Sequence, residues 1–280
     1  MSAPPSPLYH YTSFTALNGI ATSRTLWASA ISYLNDSREY RHAVATVTAH
    51  VPEAKALHAA DALEEAFLDK LSGMLDESET PYVFIFSLSA NKNQLSQWRA
   101  YCPNGHGVAM GFNTARLVSV TGDSSFSLEQ CVYKPAAQAT IAMAFIEKCI
   151  TIARSHRTPT STPFSLIKES WGTISDAFGG IAARLKDPAF EEEAEWRLVS
   201  PSLPWAHSRL KVRALQTMLI PYYDLPIGLS ENEIPLQTVV VGPNQHPLLA
   251  ETAIRTAFAA AGTRWYGQLE RSDVPLRTMS

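Results

Sequence analysis

The feature that most constrains the fold is a continuous apolar run, PYVFIFSLS, at residues 81–89. A run without polar alternation is expected of a central strand that is buried on both faces. Ser87 and Ser89 are two residues apart and share one face at the end of this predicted strand. Serines at a strand end also form turns, so a structural role and a site role are both open for them.

A second informative stretch, FEEEAEWRLVS at residues 190–200, changes abruptly from acidic to alternating residues. The alternation from Glu195 onward predicts a strand with at least one buried face, and Glu193 shares a face with Glu195 if the strand begins by Glu193. Neighbouring carboxylates repel each other unless a cation, a hydroxyl or a substrate lies between them. The run therefore indicates either a site or a solvated acidic loop before a strand.

The rest of the chain reads as a mixture of strands and grouped helices. A strand at residues 8–11 carries Tyr9, His10 and Tyr11, and Thr12 or Ser13 caps the helix that follows. Other predicted strands cover residues 26–29, 108–112, 127–133, 218–222 and 238–241, with an edge strand at 264–267. Other predicted helices cover residues 53–75, 97–101, 136–154, 164–185 and 247–261, with a helix start at Ser37 after a turn at Asn35 and Asp36.

This order of elements predicts the α+β class, because strands and helices do not alternate regularly. Residues 1–7 form a proline-rich lead that we expect to be disordered. No linker interrupts residues 8–280, and 46% hydrophobic composition is enough for one large core, so we predict a single domain.

Composition excludes several classes of protein. The formal charge of −3 provides no global field for a polyanion, so contact with nucleic acid would need a local basic patch. Cys102, Cys131 and Cys149 lack metal-ligand spacing and fit a reducing compartment rather than a disulfide framework. His42, His50 and His58 are spaced by eight, but Pro52 is expected to interrupt a helix between them, and we predict no metal.

The chain begins without a secretory signal, and no window predicts a membrane span. We therefore expect a cytoplasmic protein with no membrane partner. Delivery into another cell by a dedicated export machine stays open, because exported effectors also lack such signals.

Several motifs, taken in order, resemble a bacterial family known only as a domain of unknown function, DUF2971. They are LYHYTS, LND with Glu39, FSLS, QWRAY, GVAMGF and FEEEAEWRLV, and they span residues 8–242. That family is similar in fold to the ADP-ribosyltransferases, which bind NAD in a cleft between two small sheets. The resemblance implies an ADP-ribosyltransferase-like split β-sandwich with helical insertions.

The resemblance also implies roles for particular residues. His10 on the first strand would hold the adenosine ribose of NAD, Ser87 and Ser89 would line the nicotinamide pocket, and Glu195 would be catalytic with Glu193 as its partner. A histidine on the first strand belongs to one branch of the superfamily, whereas strand serines with an E-x-E pair belong to another. The remaining cofactor-binding candidates are Tyr11, Thr12, Tyr33, Asn35, Trp98, Tyr101 and Arg197.

Some of these candidates have structural alternatives. Tyr33, Trp98 and Tyr101 are candidates for stacking on the nicotinamide ring, but buried aromatic residues are more often part of a core. For Arg197, the structural alternative is an ion pair with the acidic cluster. Ser87 is a candidate for holding Glu195 through its hydroxyl.

The expected function is an NAD-dependent ADP-ribosyltransferase-like enzyme that transfers ADP-ribose from NAD, as substrate, to an unknown acceptor. A role as a toxin or in anti-phage defence is part of this expectation. One alternative is a binding module that uses the same cleft for a nucleotide or nucleic acid without chemistry. Another is an interaction protein whose acidic cluster contacts a basic partner. Acceptor identity and oligomeric state are open at this point.

Overall fold

A computed structural model describes residues 3–33, 39–77, 82–102, 106–215 and 217–275, and it shows a mixed α+β protein. The strands are β1 (Leu8–Thr12), β2 (Thr25–Ala30), β3 (Phe84–Ser89), β4 (Val108–Phe112), β5 (Ser127–Gln130), β6 (Glu195–Val199), β7 (Leu210–Ala214), β8 (Leu219–Pro226), β9 (Leu236–Val241) and β10 (Gln268–Arg271). The helices are α1 (Phe14–Ser23), α2 (Glu39–Leu57), α3 (Ala62–Glu77), α4 (Leu95–Tyr101), α5 (Thr114–Gly122), α6 (Pro135–Ser155), α7 (Pro163–Ala182) and α8 (Pro247–Ala260). The predicted α+β class is confirmed.

All ten strands belong to one hydrogen-bonded sheet with the order β10-β9-β4-β1-β3-β2-β8-β7. Strand β6 pairs with β3 and β5 outside this path. Strands β9 and β10 are parallel, and the other pairs are antiparallel. Because β3 has three neighbours, it is the branch point of the sheet.

The sheet forks along one edge of β3. One edge pairs with β6 along its length, from Ile85 to Ser89. On the other edge, Phe84 and Ile85 pair with β2, whereas Ser89 pairs with β1. Strands β1 and β2 therefore separate over residues 86–88 and leave an opening between them. Pairing is continuous through β3, so the expected division into two small sheets stays a prediction.

Strand β3 is buried on both faces, as its apolar run predicts. Phe84, Phe86 and Leu88 belong to a core with α1, α5 and α8, whereas Ile85 faces a second core built by α2, α3, α6 and α7. This layered packing removes both faces of the strand from water and explains why its sequence lacks polar alternation.

Two helix predictions need correction. The continuous helix predicted at residues 53–75 is two helices, α2 and α3, with a break at residues 58–61. Pro52 lies inside α2, which continues to Leu57, so it does not interrupt the helix after His50 as predicted; the helix ends just before His58. Asp61 begins α3, because its carboxylate accepts hydrogen bonds from the backbone of Leu63 and Glu64.

Several other boundaries differ. Helix α5 and strand β7 were not predicted, β8 runs to Pro226, and the final edge strand lies at Gln268–Arg271 rather than at 264–267. The strand predicted at 127–133 ends at Gln130, and Pro135 is the first residue of α6 rather than only a strand terminator. Short strands on a sheet edge carry weak hydrophobic patterns. A helix of nine residues, such as α5, is likewise too short for a clear hydrophobic periodicity.

The proline-rich lead contacts the body of the protein where it is described. Pro5 O accepts a hydrogen bond from Thr114 Oγ1 at 2.6 Å, and Ser6 Oγ accepts one from the Thr114 backbone. These bonds tie residues 5 and 6 to the start of α5. The turn and helix start predicted at Asn35, Asp36 and Ser37 lie outside the described residues, as does the cofactor-binding role predicted for Asn35.

Helix α6 is long and apolar enough, by length and composition, to cross a membrane, although the sequence pattern predicted no such window. This criterion is also met by core helices of soluble proteins. Here Phe145, Ile146 and Cys149 pack into the helical core, and Glu147 accepts a hydrogen bond from His58 at 2.8 Å. Packing within the protein thus accounts for the apolar face of α6.

Candidate functional site

A cleft of about 1040 Å³ opens where β1 and β2 separate over β3. Its walls come from β1, β2, β3, α1 and α4, and from the segment that joins α7 to β6. All the predicted site residues that the structure describes line it except Trp98; they are His10, Tyr11, Thr12, Tyr33, Ser87, Ser89, Tyr101, Glu193, Glu195 and Arg197. The fork of the sheet therefore brings together residues that are far apart in sequence.

A buried cluster of charged side chains forms one wall of this cleft. It contains three carboxylates, on Glu39, Glu193 and Glu195, and two cations, on Lys186 and Arg197. Lys186 Nζ donates to Glu193 Oε2 and Glu195 Oε2 and lies 3.5 Å from Glu39 Oε1. The five groups carry a formal charge of −1, from −3 and +2, so the cluster is close to neutral.

Arg197 binds the cluster from the side of the helical layer. Its Nε donates to Glu195 Oε1 at 2.8 Å, and its Nη2 donates to Glu39 Oε2 at 2.7 Å. Its Nη1 donates to Ala183 O at 3.0 Å, at the end of α7. The guanidinium is only 1% exposed, so these bonds replace the water that it loses on folding. The alternative that Arg197 pairs with the acidic cluster is confirmed.

Glu193 is not part of the strand, contrary to the condition under which a shared strand face was predicted. It ends a 3-10 turn at Pro188–Glu193, and Ala194 then adopts a left-handed conformation with φ 43°. Strand β6 begins only at Glu195. The turn, rather than strand alternation, brings the carboxylates of Glu193 and Glu195 onto the same cation.

The loop after β3 holds this turn in place. Ser89 Oγ donates to Glu193 O at 2.7 Å and accepts from the backbone of Asn91 at 3.0 Å. Asn91 Nδ2 donates to Glu192 O at 3.1 Å. Ser89 therefore positions the backbone that carries Glu193, and its hydroxyl is fully used in doing so.

The charges of the cluster reinforce each other. Burial raises the pKa of Glu195, but the charges and hydrogen bonds of Arg197 and Lys186 outweigh it and lower the pKa to about 2. Burial lowers the pKa of Lys186, yet the neighbouring carboxylates raise it above its usual range. Glu195 is consequently a carboxylate, and Lys186 an ammonium, at neutral pH.

His10 also lines the cleft, and its imidazole is neutral. Its ring contacts Phe86 at a centroid distance of 4.3 Å, and its Nδ1 donates to Ser87 O at 3.0 Å. Burial lowers its pKa to about 4, against the effect of this hydrogen bond, and the charge of Arg213 lowers it further. Since a carbonyl oxygen only accepts, Nδ1 carries the proton, and Nε2 makes no hydrogen bond with any residue in the described ranges.

Ser87 lies opposite Arg197 in the β3–β6 ladder and shares its face of the sheet. Its hydroxyl makes no hydrogen bond with a described residue, whereas Glu195 is bound by Lys186 and Arg197. The expectation that Ser87 holds Glu195 is therefore wrong for this structure. Ser87 instead offers its carbonyl to His10 and a free hydroxyl to the cleft.

The aromatic candidates divide into core and cleft residues. Trp98 is fully buried, contacts Tyr11 edge to face at 4.7 Å, and donates from Nε1 to Asn93 Oδ1. Gly242 packs so closely on Trp98 that a Cβ there would lie 2.8 Å from the ring. Trp98 is thus a core residue that supports Tyr11, and the core alternative applies to it.

Tyr11 and Thr12 line the cleft but also fix neighbouring segments. Tyr11 OH donates to Asn91 O at 2.7 Å and accepts from the backbone of Gln94 at 3.0 Å. Thr12 O accepts from Cys102 Sγ at 3.5 Å. Both residues therefore join β1 to the segments on either side of α4.

Tyr101 and Tyr33 expose part of their rings at the cleft. Tyr101 OH donates to Glu193 Oε1 at 3.1 Å, and burial together with the charge of Glu193 raises its pKa. Tyr33 ends a 3-10 turn at Ile31–Tyr33. Together with Phe190, which also lines the cleft and lies 5.2 Å from Lys186 Nζ, these rings offer aromatic surfaces to a ligand beside the acidic cluster.

Sequence reasoning missed other cleft residues. Glu39 was noted only as part of a family motif and not as a site residue, and Lys186 carried no motif at all. The sequence signal that was available for Lys186 is the excess of acid at residues 191–195, which requires a buried counter-charge once the segment packs. Tyr133 was also missed, and its OH accepts from the backbone of Glu195 at 2.9 Å.

Comparison with known proteins adds one finding. The model of a family described as "Protein of unknown function (DUF2971)" matches residues 97–198 of the 280-residue chain. This match supports the DUF2971 assignment. It covers α4 from Gln97 onward and four of the five cluster residues, which are Lys186, Glu193, Glu195 and Arg197. No curated protein and no solved structure matches the chain.

Proposed function

We propose that this protein is an NAD-dependent ADP-ribosyltransferase-like enzyme with its site in the cleft at the β3 fork. The observation that carries the proposal is the presence, in the lining of one cleft, of neutral His10 together with the buried carboxylates of Glu193 and Glu195. A split β-sandwich related to the ADP-ribosyltransferases is part of the same proposal, with the fork as the division between its halves.

The residues present fit NAD as a substrate. A cleft of about 1040 Å³ is at the upper end of the range for small-molecule sites, which is roughly 300–1,000 Å³. The free Nε2 of His10 accepts a hydrogen bond from a ribose hydroxyl, and Ser87 Oγ donates to a carboxamide oxygen. Tyr101 and Tyr33 provide rings on which nicotinamide stacks.

The chemistry is a substitution at the ribose carbon that bears nicotinamide. The carbon–nitrogen bond breaks, its electron pair leaves with neutral nicotinamide, and positive charge develops on the sugar. The fixed carboxylate of Glu195 stabilises this charge in the transition state more than in the ground state. The acceptor attacks the same carbon and loses its proton to Glu193, which then releases it. The products are the ADP-ribosylated acceptor, nicotinamide and a proton.

A second function is favoured by the ion pairs of Glu195. Both of its carboxylate oxygens are bound by Lys186 or Arg197, which leaves little negative charge for a reacting sugar. In a non-catalytic module that binds a nucleotide or nucleic acid in the cleft, such a neutralised cluster would stabilise the fold and take no part in a reaction.

Nicotinamide release from NAD by the purified protein, with cell lysate as a source of acceptors, distinguishes these functions. Glu195→Gln should lower the rate by about 100- to 1000-fold, as expected for loss of one electrostatic partner of a transition state. Exposed Glu191 is the matched control, because Glu191→Gln removes the same charge four residues away and should leave the rate unchanged.

Each outcome has a defined meaning. Release that is equal in wild type and Glu195→Gln contradicts the mechanism. No release from wild type, combined with saturable NAD binding, favours the binding module. A circular dichroism spectrum and a urea midpoint for each variant separate loss of activity from loss of fold.

The proposed acceptor is unidentified, and the proposed setting is the cytoplasm, with a role as a toxin or in anti-phage defence.

A further inference from the structure

The outermost hairpin of the sheet carries a basic face beside the cleft. Arg209 and the β7 residues Lys211 and Arg213 are two residues apart in the sequence RLKVR. Lys211 and Arg213 therefore point to the same face of β7, about 7 Å apart. Arg209 lies in the turn just before the strand, where its carbonyl accepts a hydrogen bond from the backbone of Asp224 at 3.1 Å. We call these three cations, together with Trp27 on β2 and Tyr222 on β8, the β7 basic face.

The strand ladders place these five residues next to one another. Lys211 lies opposite Tyr222 in the β7–β8 ladder, and Tyr222 lies opposite Ser29 in the β8–β2 ladder. The Trp27 and Tyr222 rings are in contact at a centroid distance of 4.7 Å. The same sheet face continues through Ser29 to Ile85 and Ser87 on β3, which line the cleft.

The charge of this face is positive, although the chain as a whole carries −3. Asp224 is the carboxylate paired with it, through Lys211. Burial raises the pKa of Asp224, but hydrogen bonds from Lys211 and Thr25 and the charges of Lys211 and Arg209 lower it overall. With three cations and one carboxylate, the face has a formal charge of +2.

Arg213 has unused hydrogen-bonding capacity. Its Nη2 donates to Ser29 Oγ at 3.0 Å, and its guanidinium lies 5.9 Å from the centre of the Trp27 ring. Its Nε is buried and has no hydrogen-bond partner, and Arg213 forms no ion pair with a carboxylate among the described residues. An anion beside this guanidinium would meet a cation that has no carboxylate partner among the described residues.

Trp27 provides an exposed aromatic surface at the same place. Its side chain is 48% exposed, although it lies on a strand of the central sheet and lines the cleft. An exposed tryptophan beside a face of net positive charge is the combination that binds unpaired bases and their phosphates. A regular duplex offers no free base face to Trp27, so a single strand fits better.

We infer that the β7 basic face binds single-stranded nucleic acid, with a base stacked on Trp27 and phosphates on Arg213, Lys211 and Arg209. The strand then runs along the edge of the sheet toward the mouth of the cleft. Trp27 and Arg213 also line the cleft, so this surface overlaps the edge of the site proposed above, but its binding needs neither NAD nor catalysis.

The test is fluorescence anisotropy of a fluorescein-labelled 15-nucleotide single strand with the full-length protein, in the absence of NAD. We expect tighter binding of the single strand than of a duplex of equal length. Trp27→Ala should weaken binding by about tenfold or more, and Trp27→Phe should restore most of it, since stacking on one aromatic ring accounts for a large part of such affinity. Replacing Arg209, Lys211 and Arg213 together by Gln should lower the slope of log K against log salt by about 2.

A matched control removes the same charge elsewhere. The triple substitution of the exposed residues Lys70, Lys148 and Arg255 by Gln should leave both affinity and salt slope close to wild type. An equal loss in this control would show that only net charge matters and would overturn the proposal. Absence of single-strand binding at low salt by the folded wild type would also overturn it, as would binding to phosphatidylserine vesicles in its place.

Discussion

Arg197 lies two residues beyond Glu195 on β6, and its Nε donates to Glu195 Oε1 at 2.8 Å. The spacing places both side chains on one face of the strand, where each neutralises the other's charge away from water. Arg197 also reaches Glu39 at the start of α2 and Ala183 at the end of α7. The pair therefore joins the central sheet to the helical layer as well as lining the cleft.

Replacement of Arg197 should destabilise the fold strongly. Arg197→Met leaves the carboxylates of Glu195 and Glu39 buried with only Lys186 as counter-charge, at a cost of roughly 3–5 kcal/mol. Urea unfolding measures this loss. Arg99→Met is the control, because Arg99 is exposed. A loss of unfolding free energy in Arg99→Met as large as in Arg197→Met would contradict the stabilising role of the buried Arg197 ion pairs.

The low pKa of Glu195 predicts a specific acid sensitivity. Its pKa is about 2 in the fold and about 4.5 without partners, so it stabilises the fold fully above about pH 5, and this contribution is lost as the pH falls toward 2. Over that window the free energy of unfolding of wild type should drop by about 3 kcal/mol more than that of Glu195→Gln. Urea midpoints at a series of pH values test the difference. Parallel pH profiles for the two proteins would show that Glu195 is not the group responsible.

His10 should titrate far below an ordinary histidine. Its pKa of about 4 means that it stays neutral in the fold while an unfolded chain takes up a proton near pH 6.5, so stability falls as the pH decreases between these values. NMR of histidine-labelled protein, with His10→Gln to assign the signal, should give a midpoint near 4. A midpoint near 6.5 in the folded protein would rule out both the buried neutral ring and its role as a hydrogen-bond acceptor.

Gly107 is required by a close approach between strands. A Cβ at this position would lie 2.3 Å from Thr12 O and 2.7 Å from Cys102 Sγ, so Gly107→Ala forces β1 and β4 apart and should cost roughly 1–3 kcal/mol. Gly172 lies in the middle of α7 with open space around it, and Gly172→Ala should stabilise by up to about 1 kcal/mol. Thermal unfolding of the two variants compares them, and a neutral Gly107→Ala would refute the close packing.

The sequence predicted elements where a pattern was long or continuous. The apolar run at residues 81–89 identified the central strand, and the alternation after Glu195 identified β6. The prediction of one helix at residues 53–75 was wrong, because the apolar stripe continues from α2 into α3. Only Asp61 marks the break between the two helices. Strand β7 was missed because an edge strand with exposed cations carries no buried pattern.

The candidate site was predicted unevenly for a related reason. Glu193, Glu195 and Arg197 stood out because charges next to a buried strand are unusual. Lys186 and Glu39 did not stand out, since each is an ordinary residue in a helical or polar segment until packing removes its water. The role of Ser89 was likewise hidden, because it acts on the backbone of residue 193 and not on a side chain.

By itself, the sequence determined the α+β class, the central strand and the acidic segment, because periodicity and burial are local properties of the chain. Tertiary structure decided that the sheet forks at β3, that a left-handed Ala194 turns two glutamates onto Lys186, and that His10 lines the same cleft as these glutamates. The fork and the cleft depend on contacts between distant residues, such as His10 with Ser87, and the turn at Ala194 is held by Ser89 through Glu193 O. No local pattern encodes which partner removes a charge from water.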